Sequence, residues 1–160
     1  MARITTNTTG TQPVIIIGLS GANLANSSVA LTIPFVQDLT ITNSTGVYSY
    51  TTFSDVDMRK LSTPADNEAS TNVVVDNLAY FGNSAATANT APFLGIASLS
   101  TNKDNLDFEI YWNGTAANAY YYSGSGFITS LAPTTSPDAP VWVTPLTIAV
   151  DGAFTVAQVP

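Results

Sequence analysis

The sequence contains no cysteine and no histidine. The first absence excludes a disulfide framework and thiol chemistry. The second removes the commonest general base and, with the first, the usual transition-metal ligands. A Ser-His-Asp arrangement is thereby ruled out, and neither Lys60 nor Lys103 sits in a motif that would pair it with a serine. Charge is scarce as well: 9% of residues are charged, against about a quarter in an ordinary soluble domain. Four are basic (Arg3, Arg59, Lys60 and Lys103) and eleven acidic, giving a net charge of −7. Binding to a phosphate backbone needs clustered cations, so no nucleic-acid-binding surface is expected. The same sign suits a protein past which nucleic acid slides without sticking, and equally an ordinary acidic protein. Long apolar runs are missing too. Val14-Ile-Ile-Ile17 is too short for a signal sequence or a membrane span, so synthesis in the cytoplasm and no membrane partner are expected.

What is present is apolar and β-prone. Of 160 residues 45% are hydrophobic and 10% aromatic, enough for one globular domain with a core. Thr, Asn and Ser stand where charge would be expected. Such a surface suits a protein covered by copies of itself, or a β-protein that simply favours these residues.

The carboxyl-terminal third organises the reading. Leu106 to Trp112, Ala119 to Leu131 and Val141 to Val150 are rich in β-branched and aromatic residues. Turn chemistry at Asn113-Gly114, Thr134 to Pro140 and Asp151-Gly152 separates them, the mark of consecutive antiparallel strands. Alternation puts Leu106, Phe108, Ile110 and Trp112 on one face and Asp107, Glu109 and Tyr111 on the other. Ser123-Gly-Ser-Gly126 lacks the lysine and helix of a phosphate loop and reads as a bulge or bend.

Upstream, residues 1–12 form a polar, Thr-rich stretch expected to be a flexible arm, and residues 13–160 a single β domain. Val14 to Ile17 and Val29 to Thr42 read as strands, with Pro34 demanding an edge or a bulge. Asn43-Ser-Thr-Gly46 reads as a turn leading into Val47 to Phe53. Residues 54–70 are polar, lack alternation and carry Pro64, so a long loop is expected there. Asn72 to Phe81 reads as another strand, and residues 90–101 as the one short α-helix, capped by Thr90 and weakened by Gly95. The sum is a mainly β fold: an antiparallel β-sandwich or split barrel of roughly eight strands with one short helix.

Catalytic signals stay at background. Asp107 and Glu109 share a strand face, as glycosidase carboxylates do, but so do solvated pairs. Asp55 and Asp57 lack the glycine and bidentate glutamate of a calcium loop. No enzyme, metal or cofactor is expected. Tyr120-Tyr121-Tyr122 offers rings for sugars or bases, or packing between sheets or subunits, with alternation turning Tyr121 away from its neighbours.

Several stretches carry a resemblance. Tyr121-Tyr-Ser-Gly-Ser-Gly-Phe-Ile-Thr-Ser-Leu-Ala-Pro133, Val141 to Val150 and Asp151-Gly152-Ala-Phe-Thr155 resemble the major tail tube proteins of long-tailed, siphophage-type bacteriophages. Tyr50-Thr-Thr-Phe-Ser-Asp55 with Arg59, Asn77 to Gly82, and Asp107 to Gly114 fit the same pattern. The likeness covers about two thirds of the chain and is weakest over residues 1–45.

The resemblance implies homohexameric rings stacked into a tube through which DNA leaves the virion, without specific binding. It implies tail partners such as tape measure, terminator and distal tail proteins. Asp107 and Glu109 become candidates for the lumen. Asp55, Asp57, Arg59, Lys60, Asp66 and Glu68 become candidates for a loop between subunits or rings, and Arg3 for an inter-subunit arm. A capsid decoration protein or carbohydrate-binding β-sandwich of a virion is the alternative, with the three tyrosines as its ligand surface.

Overall fold

The computed structural model describes residues 12–160 except Asp55, Pro137 and Asp138. The expected arm, with Arg3, and Asp55 therefore lie outside the described residues. Among the described residues nine strands and two helices follow one another: β1 (Val14–Leu19), β2 (Ala30–Ile33), β3 (Thr40–Tyr50), β4 (Arg59–Val74), α1 (Asn77–Phe81), α2 (Ala91–Asn102), β5 (Leu106–Tyr111), β6 (Tyr120–Leu131), β7 (Thr134–Ser136), β8 (Ala139–Val150) and β9 (Thr155–Gln158). All pairings are antiparallel, in the order β2-β1-β5-β6-β8-β4-β3, with β7 on β8 and β9 on β6. The mainly β class is as the sequence indicates.

Strand β6 is the hinge of this sheet. Its Tyr121–Gly126 half pairs with β5 on one edge, while β9 and then β8 run along the other. Two glycines make that crossing fit. A Cβ on Gly124 would stand 2.9 Å from the Phe108 ring, and one on Gly126 would stand 2.1 Å from the Ala149 carbonyl oxygen. The expected bulge is thus not at these glycines; the register shifts further on, between Ile128 and Ser130.

Alternation sends Ile15, Ile17, Phe108, Ile110, Ile128, Leu146 and Ile148 to one face, where α2 adds Ala91, Ile96 and Leu99. Each is nearly or fully buried, and burying a side chain of this size stabilises by about 1.5–3 kcal/mol. The sheet closes on itself around this core at a corner. Past β2 the chain turns at Pro34–Phe35, Val36 bridges to Val73, and the Val74 N–H donates to the Phe35 carbonyl. Asp38 pins the corner, accepting 2.7 Å bonds from the Asn72 N–H and side-chain amide. Phe35 adopts the left-handed region, φ 53°, which costs a bulky L-residue about 1–2 kcal/mol. The proline ends β2 at the edge of the sheet, as the missing N–H requires.

Three expectations are corrected. Residues 54–70 are not a long loop: β4 begins at Arg59 and pairs with β3 as far as Ser70, with an irregularity at Thr63–Pro64. Asn43–Gly46 is not a turn but lies within β3, at an irregularity between Thr45 and Val47, and the last pair of the hairpin is Tyr50 with Arg59. Asn72 to Phe81 is not one strand: β4 stops at Val74, and Asp76 caps α1 by accepting from the N–H groups of Leu78 and Ala79. The helix expected at 90–101 is Ala91–Asn102, broken at Gly95. Thr90 is extended there but its hydroxyl donates to the Thr87 carbonyl at 2.5 Å instead of capping. Gly95 has φ 72°, and a Cβ on it would meet the Gly82 nitrogen at 2.3 Å, so α1 and α2 pack backbone to backbone at a glycine pair.

Candidate functional site

The face of the sheet turned away from the core carries Asp66, Glu68, Asp107 and Glu109. Register places Gly18, Asp107 and Ser125 in one row and Ile16, Glu109 and Ser123 in the next. Across β8 the same face continues through Phe127, Ala149, Glu68 and Thr42. Asn67, Ala69, Thr71 and Val73 point inward and are buried, so Asp66, Glu68, Ser70 and Asn72 point outward. Asp66 and Glu68 therefore share a sheet face with Asp107 and Glu109, three strand positions away, about 14 Å at the usual strand spacing. No Lys or Arg occurs in β1, β5, β6 or β8, or in β4 from Asp66 onward.

The two pairs differ in freedom. Asp107 is half-buried, with Oδ2 accepting from the Gly21 N–H at 2.7 Å and Oδ1 from the Ser125 hydroxyl at 2.6 Å. It ties the loop after β1 to β6. Glu109 Oε2 accepts from the Tyr111 hydroxyl at 2.6 Å. Burial first, then this bond and the charge of Glu109, push the Tyr111 phenol well above its ordinary value. Tyr111 stays a proton donor to Glu109 and stacks on Tyr121, centroids 4.9 Å apart. Asp66 and Glu68 are exposed. Their place on this face is hidden in the sequence, because Ala65-Asp-Asn-Glu-Ala-Ser-Thr-Asn72 is polar on both faces.

The second feature is a ribbon. β8 pairs with β4 only from Asn67 to Val74. Beyond Asn67 the β3–β4 hairpin continues for eight residues of β4, roughly 26 Å of strand, with no third strand among the described residues. Asn67 marks its base, donating its amide to the Gly152 carbonyl at 2.7 Å. Val47, Tyr48, Phe53, Val56, Met58 and Leu61 are all exposed along it. Asp57, Arg59 and Lys60 sit at its tip, Asp66 is its first β4 residue beyond Asn67, and Glu68 lies in the part of β4 that pairs with β8. A two-stranded hairpin by itself is marginal in water.

The tyrosine run is mostly spent on packing. Tyr121 stacks on Tyr111, and Tyr122 packs edge-on to Phe154 at 5.5 Å and against Trp112 at 5.7 Å. Tyr120 alone of the three is exposed. Among the described residues no group of three His, Cys, Asp or Glu side chains is placed to hold a metal.

No protein-family model and no curated protein matches the chain. Solved structures do. The fold is similar to a chain from the tail of an empty gene transfer agent particle, solved by helical refinement with C6 symmetry (TM-score 0.60, 16% identity, 89% of this chain and 95% of that one). It is similar to a chain in the virion of a native gene transfer agent particle (TM-score 0.59, 15% identity, 89% and 95%). A third match lies in the sheath–tube complex of an extracellular contractile injection system, PVC, in its extended state (TM-score 0.53, 16% identity, 91% and 88%). The chain thus has the fold found in the tails of phage-like particles and contractile injection systems.

Proposed function

We propose that this chain is a structural, non-enzymatic tail-tube subunit of a virion, which forms hexameric rings that stack into a conduit for DNA. The observation that carries the reading is the match to the gene transfer agent tail chain over nearly the whole length of both chains. The acidic sheet face supports it. Carboxylates without cations repel a phosphate backbone and leave DNA free to slide. Asp66 and Glu68, exposed, are the residues this reading assigns to the lumen, with Asp107 and Glu109, three strands away on the same face, as half-buried contributors to the same field. The projecting ribbon is the counterpart of the expected inter-subunit loop: its apolar residues need a partner, and a neighbouring copy supplies one. Other tail proteins would cap and initiate the stack.

The binding-module alternative is less well supported, because two of its three tyrosines are engaged within the fold. Electron microscopy of the purified protein across a concentration series, and of the particles that contain it, tests the reading. Hollow stacks with sixfold end views are expected. Closed small oligomers in solution and no tube density attributable to this chain in the particles would overturn it.

A further inference from the structure

Asn113-Gly114 is the one Asn-Gly step in the sequence, and it lies just past the end of β5 in the connection to β6. The Asn113 side chain is exposed. Among the described residues neither that side chain nor the Gly114 N–H makes a hydrogen bond. Gly114 has φ 69° and no Cβ, so nothing on it shields its nitrogen from the preceding side chain. Other asparagines are held. Asn23, Asn26 and Asn83 engage their side-chain carbonyls with the N–H groups of Ala25, Ser28 and Ala85, and Asn43, Asn67 and Asn72 lie within paired strands. The comparable Asp151-Gly152 step is tied at both residues. There the Asp151 N–H donates to the Ser125 carbonyl, and the Gly152 carbonyl accepts from the Asn67 amide.

We propose that Asn113 is a site of spontaneous deamidation, in which the Gly114 nitrogen displaces the Asn113 amide. The Gly114 nitrogen bonds to Asn113 Cγ, the Cγ–Nδ2 bond breaks, and the proton from the Gly114 nitrogen leaves on the departing amide as ammonia. The five-membered succinimide so formed takes up one water and opens at either carbonyl, to aspartate or to isoaspartate. One water is consumed and one ammonia released, so no oxidant or other co-reactant is needed. An unbonded loop lets the chain rotate into the geometry of attack, which a strand or a pinned turn does not. Either product adds one negative charge to the net −7. The new carboxylate stands next to Gly114, at a crevice that this glycine lines with Pro13, Val14, Ile33, Phe35 and Val36. Isoaspartate also carries the main chain through the former side chain, lengthening the β5–β6 connection by one methylene.

The test incubates the purified protein in mildly alkaline buffer, folded and in parallel in urea, and follows both by isoelectric focusing and tandem mass spectrometry. No Lys or Arg follows Lys103, so one tryptic peptide carries Asn105, Asn113 and Asn118, and its fragments tell them apart. In the folded chain, conversion should begin at Asn113 before any other asparagine. A loop without hydrogen bonds opens at almost no cost, so the folded rate at Asn113 should stay within about tenfold of the rate in urea. Asn113→Gln, at an exposed position, should abolish the early acidic band. Earlier conversion at another asparagine, conversion at Asn113 confined to the urea sample, or an early acidic band that survives Asn113→Gln would overturn the proposal.

Discussion

Asp107 accepts a 2.7 Å hydrogen bond from the backbone of Gly21, 86 residues away, and through its other oxygen holds Ser125. A residue that strand alternation places on an acidic face is thus also a structural clamp. Its carboxylate orders the loop after β1, while Glu68 on the same face has no such duty.

The two should therefore separate in a stability measurement. Asp107→Ala removes an acceptor from two donors, the exposed Gly21 N–H and the exposed Ser125 hydroxyl, and should cost about 1 kcal/mol. Glu68→Ala, at an exposed position, should stay within about 0.5 kcal/mol of the parent. Urea unfolding of the three proteins, compared at a common m-value, checks this. Equal midpoints for both variants would remove the clamp.

Tyr111 gives a pH dependence with a definite sign. Its folded phenol titrates above the ordinary value of 10.0, from burial and from Glu109. The unfolded chain therefore releases this proton first as the solution becomes alkaline. The stabilising contribution is complete below pH 10 and is lost as pH rises past it towards the folded value. Thermal unfolding between pH 9 and 11 should show a falling midpoint, and Tyr111→Phe should fall less steeply. Parallel slopes would mean that Tyr111 ionises equally in both states.

Gly95 and Gly21 both have positive φ, 72° and 81°, but their surroundings differ. A Cβ at Gly21 meets nothing within 4 Å, whereas at Gly95 it meets the Gly82 nitrogen at 2.3 Å. Gly21→Ala should cost about 1 kcal/mol from backbone strain alone. Gly95→Ala should cost about 3 kcal/mol, since α1 must move off α2. The same unfolding assay decides, and similar losses at the two sites would argue that the helix pair is loosely packed.

Much of this architecture can be read from the sequence where one face of a strand is buried. Leu106, Phe108 and Ile110 alternate with Asp107, Glu109 and Tyr111, and the structure follows that pattern strand by strand through Val150. β4 is illegible for the opposite reason. From Arg59 to Asp66 it is exposed on nearly all sides, so no alternation marks it, and Pro64 speaks against a strand. Asn77-Leu-Ala-Tyr-Phe81 is a short apolar run with no period of its own. Asp76, its capping residue, was the available helix signal. The acidic face was half legible. Asp107 and Glu109 follow from alternation, but Glu68 joins them only through the pairing of β4 with β8, and Asp66 by alternation with Glu68 along β4, which is a tertiary fact.

If the outward face lines a DNA conduit, charge reversal should act on transport and not on assembly. Asp66→Lys with Glu68→Lys moves the face from four carboxylates to two carboxylates and two cations, creating phosphate contacts in every subunit. Particles carrying both substitutions should keep normal tubes but release DNA more slowly, with the defect shrinking at high salt as counterions screen it. Release kinetics by dye uptake, at low and high salt, provide the measurement. Normal release from intact tubes would place these residues away from the DNA.

The ribbon makes the last prediction. Asn67, Ala69 and Val73 anchor β4 in the core, so shortening must stop before them: residues 47–62 replaced by a two-residue Asn-Gly turn remove the unsupported hairpin and spare the sheet. Removing exposed apolar side chains from a ribbon with no third strand takes away little folded-state packing. The shortened protein should therefore unfold within about 1 kcal/mol of the parent yet fail to form stacks at any concentration. Sedimentation velocity and electron microscopy on the same samples separate the two effects. A shortened chain that still polymerises would show that the contacts between copies lie elsewhere, and one that fails to fold would show that the ribbon belongs to the domain and not to its assembly.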